Sequence, residues 1–155
     1  MSTYRIGFTG TRHGMTEAQL EALANELLAV ELYAADKGAT QFELHHDCKG
    51  ADAQVHEMAR KGGYRVVVHP GDIATMRAWC EGDEVLLPEQ TLLRNAAIVD
   101  AAHVLFAAPE GPETQRSGTW STIRRARRVG KPICIVWSDG KATKERKKSV
   151  CQFEW

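Results

Sequence analysis

Three places in this chain set glycine beside hydroxyl or charged side chains: Thr9-Gly10-Thr11-Arg12, Asp47-Cys48-Lys49-Gly50-Ala51-Asp52 and Arg116-Ser117-Gly118-Thr119. A glycine turn that opens a helix leaves backbone N–H groups without partners, and those groups together with the helix dipole favour an anion. Ser117 and Thr119 add hydroxyls to one such turn, and either also suffices as an ordinary N-cap; caps and phosphates draw on the same donors. Arg12 and Arg116 can each hold a phosphate through two parallel N–H donors. The chemistry these residue types suit is recognition of a phosphate-bearing molecule.

Other groups complete the candidate set. Arg94-Asn95 interrupts an apolar helical stretch, and a guanidinium there must either pair with Asp52 or Asp100 or reach the ligand. His45-His46-Asp47-Cys48, with His69 on a neighbouring strand, raises the question of a metal. Adjacent strand residues face opposite ways, so His45 and His46 cannot share one ion from a regular strand, and no metal is expected from this cluster. A histidine at a strand end instead touches a base or phosphate or caps the strand. Arg124, Arg125, Arg127 and Arg128 form a basic run that reads as a solvated helix face.

These loops need elements to bring them together. Apolar β-rich runs are expected at residues 5–8, 41–46, 64–69, 104–107 and 133–137. Between them, Met15, Leu20, Leu23, Ala24, Leu27, Leu28 and Leu32 recur at helical spacing, with a Thr16/Gln19 capping box before them and Gly38 as the stop. A second helix carries Ala51, Val55, Met58 and Ala59. A third spans residues 89–101 with Leu92, Leu93, Ala96, Ile98 and Val99 as apolar members, and a fourth spans 118–129, closed by Gly130. Residues 72–88 show no period and read as a long loop with room for one helical turn. Residues 141–148 form a basic polar tail, and residues 150–155 an extra edge strand or docked end.

Strands alternating with helices predict an α/β Rossmann-like three-layer sandwich with a mainly parallel sheet of five or more strands. Right-handed crossovers place all strand carboxyl ends on one sheet edge, where open α/β sheets bind ligands. The nucleotide- or phosphate-binding set predicted there is Gly10, Thr11, Arg12, Asp47, Gly50, Ala51, Asp52, His69, Arg94, Asn95, Arg116, Ser117, Gly118 and Thr119.

The 155 residues fit one domain spanning the chain. Lys plus Arg and Asp plus Glu both total 20, giving zero net charge, whereas nucleic-acid coats carry a basic excess. Four cysteines without a CxxC pair suit a reducing compartment, and the absence of a signal-like start or long apolar run leads us to expect a cytoplasmic protein without membrane contact. Homo-oligomerisation is left open.

The order and spacing of Gly7-Phe8-Thr9-Gly10-Thr11-Arg12, Asp47 to Asp52, Leu93-Arg94-Asn95 and Ser117-Gly118-Thr119 with Gly130-Lys131-Pro132 resemble the SLOG superfamily. That group joins the DNA-processing protein A and the lonely guy phosphoribohydrolases; the chain looks most like its small stand-alone bacterial or phage members. The resemblance implies binding of nucleotides or nucleotide-derived signals such as cyclic ADP-ribose species, with Gly10, Arg12, Asp47, Gly50, Asp52, Gly118 and Thr119 at matching positions. Lonely guy enzymes carry a catalytic glutamate three residues after the Gly-Thr pair, and Thr122 stands there in this chain. Threonine cannot supply the carboxylate that such glycosidic chemistry requires.

The leading expectation is therefore a non-catalytic binder of a nucleotide-type molecule, with no resident cofactor. A nucleoside 5'-monophosphate N-glycosidase using Asp47 or Asp52 comes second, and a single-stranded DNA binder third.

Overall fold

The computed structural model describes residues 2–46 and 49–146. Among these, seven strands form one sheet in the order β4-β3-β2-β1-β5-β6-β7. The strands are β1 (Thr3–Gly10), β2 (Gln41–His46), β3 (Arg65–Val68), β4 (Glu84–Val85), β5 (Val104–Ala108), β6 (Ile133–Val136) and β7 (Ala142–Glu145). All neighbours pair in parallel except β6 and β7. Helices α1 (Glu17–Asp36), α2 (Ala51–Lys61), α3 (Thr91–Ala101) and α4 (Gly118–Val129) connect them. This is a Rossmann-like three-layer α/β fold. No described helix is long and apolar enough to cross a membrane.

Strand alternation divides the core between the two faces. Tyr4, Ile6 and Phe8 of β1, Leu44 of β2 and Val104 and Phe106 of β5 pack with Leu23, Leu27 and Val30 of α1 and Val55 and Ala59 of α2. Leu105 and Ala107 point the other way and pack with Val99 of α3 and Trp120 and Ile123 of α4. Strands buried on both sides explain the nearly unbroken apolar runs.

The capping box of α1 forms as read: Thr16 accepts from the Gln19 amide, and the Gln19 side chain accepts from the Thr16 amide. Gln19 does more than cap. It is buried, and its Nε2 donates to the carbonyls of Pro109 and Val136 at 3.0 and 2.8 Å. One amide thus ties the start of α1 to the carboxyl ends of β5 and β6. Gln19→Leu keeps the volume and strands those carbonyls, so urea denaturation should show a loss of about 1–3 kcal/mol.

Several expectations need correction. Residues 72–88 hold the one helical turn allowed for, at Ala74–Met76, but the rest is not all loop: it includes the two-residue strand β4, paired with Val67 and Val68. Asp83 makes this possible, since one carboxylate oxygen takes the Val66 amide and an Arg60 guanidinium N–H, each at 2.7 Å. Two paired residues leave no period to read. The tail contributes β7, an antiparallel edge strand; the strand expected at 150–155 lies outside the described residues. The buried face of α1 is Gln19, Leu23, Leu27, Val30 and Ala34, while Leu28 and Leu32 are exposed. The third helix starts at Thr91, and Leu92 and Leu93 face solvent. Leucines on these helices cover both sides, so type alone misplaced the stripe.

Candidate functional site

The carboxyl ends of β1 and β5 are locked together where the site begins. The Thr11 amide donates to the Ala108 carbonyl at 2.9 Å, and the Thr11 carbonyl accepts the Ala51 amide at 2.9 Å. The first N–H of α2 is therefore spent on the β1 turn and not on a ligand. Gly50, at φ 78°, carries the chain past Arg12 so that this bond can close.

α4 is different. Ser117 caps it by accepting the Trp120 amide at 3.3 Å, and the Ser117 carbonyl takes the Ser121 amide. The two amides ahead of those donors, Gly118 and Thr119, have no acceptor among the described residues. They border a cavity of about 420 Å³, a volume within the ordinary range for small-molecule sites. No acidic residue occupies the first turn of this helix.

Among the described residues that line the cavity, Arg12, Arg77, Arg94 and Arg116 supply positive charge against only Asp52 and Glu110. Glu110 already has His13 at 3.0 Å. A protein with balanced overall charge has thus concentrated cations at one concavity, which raises the local concentration of anions. Ile73, Met76, Ile98 and Phe8 provide an apolar wall.

The structure brings together Gly10, Thr11, Arg12, Asp52, Arg94, Asn95, Arg116, Ser117, Gly118 and Thr119 around this cavity. Gly50 and Ala51 do not line it; they lie behind the β1 turn, where Ala51 packs beneath Gly10. Asp47 falls outside the described residues. His69 is also set apart. Its Nε2 lies 2.7 Å from His45 Nδ1, and His45 Nε2 lies 2.6 Å from Glu43, whose other oxygen takes Arg65.

That chain of contacts fixes protonation. Burial works against charge on Glu43, but hydrogen bonds from Arg65 and His45 outweigh it and hold the carboxyl below its usual range. Burial pushes His45 down despite Glu43, and pushes His69 down to about 4, helped by His45 and Arg94. With Glu43 accepting from His45 Nε2–H, the bond to His45 Nδ1 must be donated by His69. On the opposite face, His46 Nε2 stands 3.0 Å from His56 Nδ1, and burial takes His46 to about 3.

The sequence reading missed Ile73, Met76 and Arg77, which come from the aperiodic segment before β4 and had no signal to find. Glu110 and Thr114 lie between the strand expected at 104–107 and the Ser117-Gly118-Thr119 turn, and could have been included. Thr122 lines the cavity one turn beyond Thr119, so helical spacing from Thr119 would have found it. Its Oγ1 donates to the Gly118 carbonyl at 2.9 Å.

Fold and site define a Rossmann-like α/β protein with a cationic cavity at the carboxyl edge of its sheet. No protein-family model matches the chain, and no curated protein matches it. Among solved structures it is similar to the molybdenum cofactor binding protein from the phototrophic bacterium Rippkaea orientalis, with a TM-score of 0.65 and 19% identity over 90% of this chain and 79% of that one. It is also similar to the X-ray structure of TM1055, with a TM-score of 0.52 and 18% identity over 84% of this chain and 72% of that one. At such identities the likeness speaks for the fold.

Proposed function

We propose that the cavity binds a nucleotide or nucleotide-derived signal, of nucleoside phosphate or ADP-ribose type, in a SLOG-like member of this fold. The observation that carries the reading is the pair of open amides at Gly118 and Thr119 facing a space with four arginines. A phosphate seated on those amides lies at the positive end of α4, where Arg116 and Arg12 can close on it. The apolar wall of Ile73, Met76 and Ile98 takes the base. That a protein of similar fold is described as binding the molybdenum cofactor is in keeping with a small-molecule ligand.

Binding is the favoured role because Thr122, not a glutamate, projects from the second turn of α4 and spends its hydroxyl on the Gly118 carbonyl. Titration calorimetry with nucleoside mono-, di- and triphosphates and ADP-ribose compounds should show one site for at least one of them. Exposed Arg116 can be removed without touching the core, and Arg116→Ala should weaken that binding by about tenfold or more. Absence of heat from every compound, with folded protein, would remove the proposal.

Asp52 supports a second reading. It is the one buried carboxylate among the described lining residues, and could activate water in an N-glycosidase. Release of free base from a nucleoside monophosphate, abolished in Asp52→Asn, would establish it; intact substrate after long incubation at high protein would discard it.

A further inference from the structure

His46, His56 and Cys80 come from three separate elements: the end of β2, the middle of α2 and the segment before β4. Their ligand atoms lie within 4.8 Å of one another, with His46 Nε2 and His56 Nδ1 at 3.0 Å. Tetrahedral zinc, with bonds of roughly 2.0–2.3 Å to nitrogen and sulfur, needs neighbouring ligands about 3.3–3.6 Å apart. The spacings in the trio, 3.0 Å for the nitrogen pair and at most 4.8 Å overall, bracket that range.

We propose that these three residues form a binding site for a zinc-class divalent ion, with His46 bonding through Nε2, His56 through Nδ1 and Cys80 through its thiolate. The thiol proton leaves to solvent as the ion binds. Two nitrogens and one sulfur are the donors that such borderline-soft ions favour.

The surroundings support this reading over a plain histidine pair. His46 is fully buried, and its Nδ1 has no hydrogen-bond partner, which folded proteins seldom tolerate. Asp52 Oδ2 stands 3.8 Å from that nitrogen. An ion on Nε2 fixes the proton on Nδ1, directed at the carboxylate, which is the usual way a protein orients a metal-binding imidazole. His56 and Cys80 line a surface pocket together with Glu57, Arg60 and Glu81. Trp79, directly before Cys80, has φ 54°, a left-handed conformation that a bulky residue rarely adopts.

The expectation of no metal weighed only the strand cluster His45 to Cys48 with His69, whereas this trio draws its other ligands from α2 and the segment before β4. That segment also carries Ile73, Met76 and Arg77 to the cavity, so an ion at Cys80 would fasten one wall of the nucleotide site to α2.

Cobalt(II) titrated into the full-length, chelator-treated protein reads the site directly. The expected result is one equivalent bound, with tetrahedral visible absorption and a thiolate-to-cobalt charge-transfer band that zinc abolishes by displacement. Cys80→Ser should lose the band, and Cys80→Ser and His56→Gln should each weaken zinc binding by at least about 100-fold. Cys80 is only partly buried whereas His56 is buried against His46, and unchanged melting of the metal-free variants checks their folding. Should either variant melt early, Glu57→Gln beside the site must leave the band intact while Cys80→Ala removes it. No band, or a band that survives loss of Cys80, overturns the proposal.

Discussion

Gly50→Ala should be the most damaging single-methyl change in this protein, lowering stability by about 2–6 kcal/mol and the melting temperature by roughly 10 °C or more. Gly50 has φ 78° and ψ −116°, a region that side chains avoid. A Cβ there would lie 2.4 Å from both the carbonyl carbon and oxygen of Arg12 and 2.6 Å from the Thr11 oxygen. These are backbone atoms, and the Thr11 peptide is held by bonds to Ala108 and Ala51, so no rotamer change can relieve the contact. Gly63 is the control. It has φ 76° but nothing within 4 Å of its would-be Cβ, so Gly63→Ala meets only the left-handed penalty, about 1–2 kcal/mol. Equal losses in the two variants would show that close packing of the β1 and α2 turns is not what Gly50 serves. The displaced Arg12 should also weaken ligand binding in Gly50→Ala and leave it unchanged in Gly63→Ala.

How much of this could be read from the sequence follows from which forces shape each part. The parallel sheet was legible because β5 and β6 are buried on both faces, and burial leaves continuous apolar runs such as Val104-Leu105-Phe106 and Ile133-Cys134-Ile135. The α4 end of the site was legible because a glycine after a hydroxyl cap is a local signal. The short strand β4 was not, because Asp83 holds it through side-chain bonds to residues far away in sequence. With it went Ile73, Met76 and Arg77.

The histidines show a subtler limit. Alternation correctly sends His45 and His46 to opposite faces, but it does not say which distant residue waits there. His45 meets His69 from the adjacent strand, and His46 meets His56 on the helix that covers it. The 56 position, ten residues on, carries no pattern until α2 is docked. Gly50 is a related case: it was read as a phosphate-facing turn, whereas its amide neighbours serve the β1 loop and its role is close approach.

Gly118→Asp separates charge from shape at the proposed phosphate seat, and should move stability and binding in opposite directions. No left-handed backbone and no neighbour within 4 Å oppose a side chain at this position. A carboxylate in the first turn complements the helix dipole by about 0.3–1 kcal/mol, and losing a glycine restricts the unfolded chain by about 0.4–1 kcal/mol more. The variant should therefore melt slightly above the parent protein. The same carboxylate occupies the space before the Gly118 and Thr119 amides, where a phosphate would meet like charge at a cost of several kcal/mol. With tenfold lost for each 1.4 kcal/mol, nucleotide binding should fall by at least about 100-fold. Gly118→Ala adds bulk without charge, so it should share the small gain in stability and keep affinity within about threefold. The comparison reads in calorimetry beside thermal melts. An aspartate variant that still binds at parental strength would move the phosphate away from α4. An alanine variant equally impaired would make the seat a matter of room, and the electrostatic argument built on those two open amides would fail.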